Sequence, residues 1–284
     1  LKDQQRFRLF VEDATSIEGL PHSTLAVARE LAEKEGKGEG WLFTLSAPSY
    51  IPFMQHCPSS ALRREMYLAK MSVGTAGDEY DNREVIRRLV NLRLELAQLL
   101  GSKSFAEKIL ARRMAGSTTA VYELLDQLLE AYKPVAEKEL EAVADFAHKA
   151  GATLPLQPWD WSYWAERYKQ AFYELDEEEL RPYFELSRVS EAVFSLATRL
   201  YGIRFTERTD LPVYHSDVHT YEVHDADGSY LGLLYTDFFP REGKQSGAWM
   251  NNLQEQYHTA EGEDHCPHIV LVMNFTQPTA DRPA

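Results

Sequence analysis

His268-Ile269-Val270-Leu271-Val272-Met273-Asn274-Phe275, followed by Thr276-Gln277-Pro278-Thr279-Ala280-Asp281-Arg282-Pro283-Ala284, reads as a fully apolar strand that runs into a polar loop. Upstream, Asp225-Ala226-Asp227-Gly228 is a turn signal. Extended-looking stretches at 213–215 and 219–224 precede it, and a return strand over 230–239, stopped by Pro240, follows it. Residues 241–267 are polar and Gly-containing, which predicts a loop around one short extended stretch. Everything before Gly202 has a helical period. Leu25, Ala28, Leu31 and Ala32 make one stripe, and Val85, Leu89, Leu92, Leu96 and Leu99 make another behind a predicted N-cap at Asp81. Further helices are predicted over 59–71, 105–114, from Ser117 to near Gly151 with a kink or split at Pro134, from near Trp159, from Asp176, and over 187–201. Trp41 to Leu45 reads as a short buried piece. The fold class is therefore mainly α with a small antiparallel β segment near the C-terminus, divided into a helical region, 1–207, and a hairpin-and-strand region, 208–284.

The 284 residues suffice for one large domain or two ordinary ones. Hydrophobic residues at 44% and charged residues at 26% are ordinary for a globular chain, whereas a net charge of -14 disfavours nucleic acid and anionic membrane as partners. No apolar run reaches the roughly 20 residues of a membrane span. Cys57 and Cys266 are too few for a disulfide framework and read as reduced thiols, which fits a cytoplasmic protein and leaves the bacterial periplasm open. The opening Leu1-Lys2-Asp3-Gln4-Gln5 does not read as a signal peptide.

Zinc hydrolases of the HExxH type need two His one helical turn apart, with a Glu after the first to act as base. The nine His residues stand at 22, 56, 148, 215, 219, 224, 258, 265 and 268, and none is followed by Glu. His215 and His219 have the right separation, but on extended chain they lie about 13 Å apart, too far to share an ion. His258, His265, Cys266 and His268 match no common zinc spacing. Trp159, Trp161, Tyr163 and Trp164 around Asp160 are expected as helix-packing anchors rather than a sugar platform. Asp176 to Glu179 is expected as a solvated helix start. GxGxxG, P-loop and GxSxG patterns do not occur, and no catalytic residue is assigned. One loop stretch, Gly243-Lys244-Gln245-Ser246-Gly247-Ala248-Trp249-Met250-Asn251-Asn252, sets small residues among polar ones, as a segment that receives another backbone requires; a plain glycine loop is the simpler reading of composition alone.

Six separated stretches together resemble the thimet oligopeptidase, neurolysin and oligopeptidase A family of zinc metallopeptidases. They are Gly40-Trp41-Leu42-Phe43-Thr44-Leu45, Tyr80-Asp81-Asn82-Arg83-Glu84, Leu156-Gln157-Pro158-Trp159-Asp160-Trp161, Leu180-Arg181-Pro182-Tyr183-Phe184, Tyr235-Thr236-Asp237-Phe238-Phe239-Pro240-Arg241-Glu242-Gly243-Lys244 and Asn274-Phe275-Thr276-Gln277-Pro278-Thr279. Gly247-Ala248-Trp249-Met250 tilts the resemblance toward the dipeptidyl carboxypeptidase branch.

The resemblance implies a multi-helix, neurolysin-like scaffold around a deep channel that admits short peptides. It also implies zinc held by an HExxH helix, expected beyond Ala284 in a full-length parent, so that residues 1–284 carry no metal ligand and are inactive alone. Gly247, Ala248 and Trp249 match the strand that holds the substrate backbone. The function implied is release of dipeptides from the C-terminus of short peptides; an endo-acting oligopeptidase and a non-catalytic helical binding module are the alternatives. Without the zinc helix, apolar surface around the hairpin of residues 213–239 is expected to be exposed and open to self-association.

Overall fold

The computed structural model describes residues 2–173 and 180–278. The helix expected from Asp176 with its acidic start, and the last residues of the terminal loop, lie outside the described residues. The chain forms two compact units: residues 5–59 with the described residues from 180 onward, and residues 2–4 with 60–173.

After the short helix α1 (Lys2–Arg6), strands β1 (Leu9–Val11) and β2 (Trp41–Phe43) pair antiparallel, with α2 (His22–Lys34) between them in sequence and α3 (Ala47–His56) after them. The expected stripe is real: Ala28 and Ala32 are buried on α2, and Leu42, Phe43 and Leu45 are fully buried beside it. Phe53 of α3 meets Phe43 edge-on at 4.7 Å. Sequence periodicity missed α3 because Pro48 and Pro52 interrupt its pattern.

The second unit holds α4 (Ser60–Met71), α5 (Arg83–Leu99), α6 (Phe105–Leu110), α7 (Thr118–Lys149) and α8 (Trp161–Tyr173). The N-cap of α5 is Asn82, one residue later than predicted, yet the Asp81 carboxylate still accepts the first helical N–H, from Arg83, at 2.9 Å. Ser104 and Ser117 cap α6 and α7 with their hydroxyls. Pro134 does not split α7, which runs unbroken through 32 residues. The ring removes one backbone bond, and long helical flanks on both sides outweigh that loss. Of the expected packing anchors, Trp164 meets Phe146 of α7 and Tyr163 edge-on and Trp159 lies beside Tyr67 of α4, whereas Trp161 is exposed; Phe146 also meets Tyr168 and Phe172 of α8. Asp160 accepts hydrogen bonds from buried Arg63 at 2.6 Å and from Ser60 at 2.7 Å, which ties α4 to the start of α8.

In the first unit again, α9 (Leu186–Tyr201) ends at Gly202 in the left-handed conformation. A five-stranded sheet follows, built from β3 (Arg204–Glu207), β4 (Val218–His224), β5 (Tyr230–Asp237), β6 (Trp249–Gln254) and β9 (His268–Val272) in the order β3-β4-β5-β9-β6. β7 (Tyr257–His258) and β8 (Asp264–His265) form a separate small hairpin. Strand pairing is antiparallel except between β5 and β9. The apolar run 268–272 thus enters between β5 and β6 as an inner strand, with Val270 and Val272 buried on one face and Ile269 and Leu271 half-buried on the other. Close approach requires glycine at 232, since a Cβ there would collide with the Pro267 carbonyl. Residues 213–215, expected as extended strand, form a turn-rich lead-in, and β3 was missed because its four residues carry no long alternation.

Candidate functional site

Because β9 sits inside the sheet, β6 is an edge strand with one flank unpaired by the described strands. The chain arrives from β5 through a loop that a buried ionic cluster holds in place. Asp237, the last residue of β5, has 2% of its side chain exposed. Arg241 donates to both its oxygens, at 2.8 and 2.7 Å. Lys244 Nζ donates to Oδ1 at 2.8 Å and to the Asp237 and Phe239 carbonyls at 3.0 and 2.6 Å. The Tyr214 hydroxyl donates to Oδ2 at 2.9 Å.

Burial alone would push the Asp237 carboxyl up, but the hydrogen bonds from Arg241, Lys244 and Tyr214 outweigh it and hold the group well below the usual carboxylate range. Partial burial, reinforced by the Asp237 charge, pushes the Tyr214 hydroxyl up to about 12. A carboxylate facing two cations inside the fold is a fixed anchor, not a proton donor near neutrality.

Gly247 and Ala248 stand immediately ahead of β6, and Trp249 is its first residue. Gly247 has φ of 94°, which favours glycine, and a Cβ built on it meets nothing within 4 Å. Glycine is therefore needed here for the bend, and the space beside it is open. Trp249, Met250 and Leu253 are exposed on β6. An unpaired strand edge can accept an extended chain through backbone hydrogen bonds, with alternate side chains read on either face.

The other sequence candidates do not converge. His219 Nδ1 lies 2.7 Å from Glu207 on β3, while His215 accepts from the Asp217 amide in a turn. His265 stacks on Tyr257 at 4.5 Å within the small hairpin, and the Cys266 thiol donates to the Tyr230 carbonyl. Among the described residues no three of His, Cys, Asp and Glu come together as a metal site, so these residues do not fit the zinc that the resemblance implies. The ionic cluster at Asp237 was not foreseen. Its signal was the spacing of Asp237, Arg241 and Lys244 across a predicted strand end, but Tyr214, 23 residues from Asp237, gives no such signal.

β6 thus offers an open strand edge, entered through a loop that the Asp237 cluster ties to the end of β5. The profile of peptidase family M3 matches residues 53–284, and the chain belongs to that family. It is 38% identical to oligopeptidase A of Escherichia coli over 278 residues, 96% of this chain and 41% of that protein. It is 36% identical to dipeptidyl carboxypeptidase of the same organism, over 97% of this chain and 40% of that protein. It is 36% identical to the organellar oligopeptidase A of Arabidopsis thaliana, over 99% of this chain and 37% of that protein. The chain thus spans about two fifths of the length of these curated relatives. No helix among the described residues is long and apolar enough to cross a membrane.

Proposed function

We propose that residues 1–284 supply a channel wall and the substrate-pairing strand of a zinc-dependent peptidyl-dipeptidase that releases dipeptides from the free C-terminus of short peptides. The observation that carries this reading is the open edge of β6, entered through Gly247, Ala248 and Trp249, in a chain of family M3. An extended peptide laid along β6 exchanges backbone hydrogen bonds with it, and the exposed Trp249 and Met250 meet its side chains. Zinc and the groups that activate water are assigned to polypeptide outside residues 1–284, because HExxH occurs nowhere within them. Short peptides are the proposed partners, and the cytoplasm is the proposed compartment.

Relatives named oligopeptidase A and dipeptidyl carboxypeptidase match this chain almost equally, so exo-specificity rests on Gly247-Ala248-Trp249-Met250 alone. Product analysis of a protein carrying these residues together with HExxH tests it. Dipeptides should leave a peptide with a free C-terminus, and an amidated copy should resist. Equal cleavage of both supports the endo-acting alternative. Residues 1–284 with added zinc should turn over neither peptide, and turnover would refute the assignment of zinc outside them.

A further inference from the structure

The backbone ladder between β6 and β9 closes at Trp249 opposite Val272. Continued in the same register, Gly247 stands opposite Asn274. At that position a side chain takes over from the backbone: Asn274 Nδ2 donates to the Gly247 carbonyl at 2.7 Å and to the Gln245 carbonyl at 3.1 Å. Both hydrogens of one amide are thus spent on the segment that leads into the edge strand. Asn274 is held in turn, since the amides on either side of it, Met273 and Phe275, donate to the carbonyls of Asp237 and Phe238 at 2.8 Å each.

The lead-in segment is therefore tied at two points. Lys244, with 3% of its side chain exposed, fixes its start to Asp237, and Asn274 fixes residues 245 and 247. Between Gly247, whose bend lacks a side chain to wedge it, and Trp249, where ladder pairing begins, Ala248 has its course set by these ties.

We infer that Asn274 is a positioning residue for peptide capture: its amide extends the β6–β9 ladder by side chain and holds Gly247 and Ala248 in line with the open edge. This rests on the reading that the segment receives the substrate backbone. A segment already fixed before binding loses less conformational freedom when the peptide arrives, and that difference appears as affinity.

The near-isosteric Asn274→Asp variant removes both donors and sets a carboxylate against two carbonyls. Short-peptide binding to the 284-residue chain, followed by calorimetry, should weaken about tenfold, the scale of ordering one freed backbone residue. Amide hydrogen exchange should accelerate over residues 245–249 more than over β3 and β4. Asn274→Gln, which keeps the donors, should recover most of the affinity and remains the deciding variant if Asn274→Asp fails to fold. Wild-type binding with equal binding by Asn274→Asp overturns the role of Asn274, as does an Asn274→Gln chain no better than Asn274→Asp. Failure of the wild-type chain to bind any peptide instead overturns the substrate-strand reading on which it rests.

Discussion

At the end of β5, a carboxylate almost fully hidden from water is met by Arg241, Lys244 and Tyr214, whereas along α5 and α7 large apolar side chains face solvent. On α5, Val85, Ile86 and Val90 are each more than half exposed, and on α7 Leu125, Leu129 and Tyr132 are as well. At that end of the sheet the buried carboxylate is satisfied by Arg241 and Lys244, close in sequence, and by the more distant Tyr214. The helical region has apolar stripes of correct period that stand exposed among the described residues. The open flank of β6 is a third kind of surface, made of backbone donors and acceptors. Apolar faces of this extent suit permanent packing, while a polar strand edge can be wetted when empty and paired when occupied.

The largest expected effect lies in the sheet. Asp237→Ala leaves Lys244 and Arg241 without their counter-charge, at a cost of about 3–5 kcal/mol, and chemical denaturation measures it. A cost under about 1 kcal/mol would break the contrast, because the cluster would then be ornamental. The same cluster sets a pH window. The lowered carboxyl contributes stability that is present above about 4, the ordinary range of Asp, and is lost as pH falls further. The raised Tyr214 contributes stability that is present below about 10 and lost as pH climbs toward 12. Unfolding midpoints across pH should therefore drop at both limits, and Asp237→Asn should flatten both drops.

The helical region should respond in the opposite manner. Ile86→Glu with Val90→Glu changes stability by about 0.5 kcal/mol or less per site, since both side chains are already exposed. Sedimentation velocity should show the wild-type chain self-associating with concentration and this double variant doing so less. A wild-type chain that stays monomeric throughout would contradict the view that these faces require cover.

Sequence alone was most informative where a single element decides its own form. The stripes of α2 and α5, the helix over 187–201, the serine cap of α7 and the hairpin turn at Asp225–Gly228 are local signals, and the structure follows them. It was least informative where distant segments meet. The apolar run 268–272 announced a buried strand, but nothing in it specified insertion between β5 and β6, parallel to one and antiparallel to the other. Four-residue β3 was too short to show a period, and Pro48 and Pro52 hid α3. At the site, Gly247, Ala248 and Trp249 were picked out by small size and by resemblance. Asn274 and Tyr214 act through contacts 27 and 23 residues away, and such pairings leave no trace in spacing.

The central claim is that the free edge of β6 receives an extended peptide. Amide hydrogen exchange of the 284-residue chain, with and without a saturating short peptide bearing a free C-terminus, tests it most directly. The account predicts slowed exchange confined to residues 247–254, with β3, at the opposite edge, unchanged. Equal protection at both edges, or protection elsewhere with β6 unaffected, would contradict it.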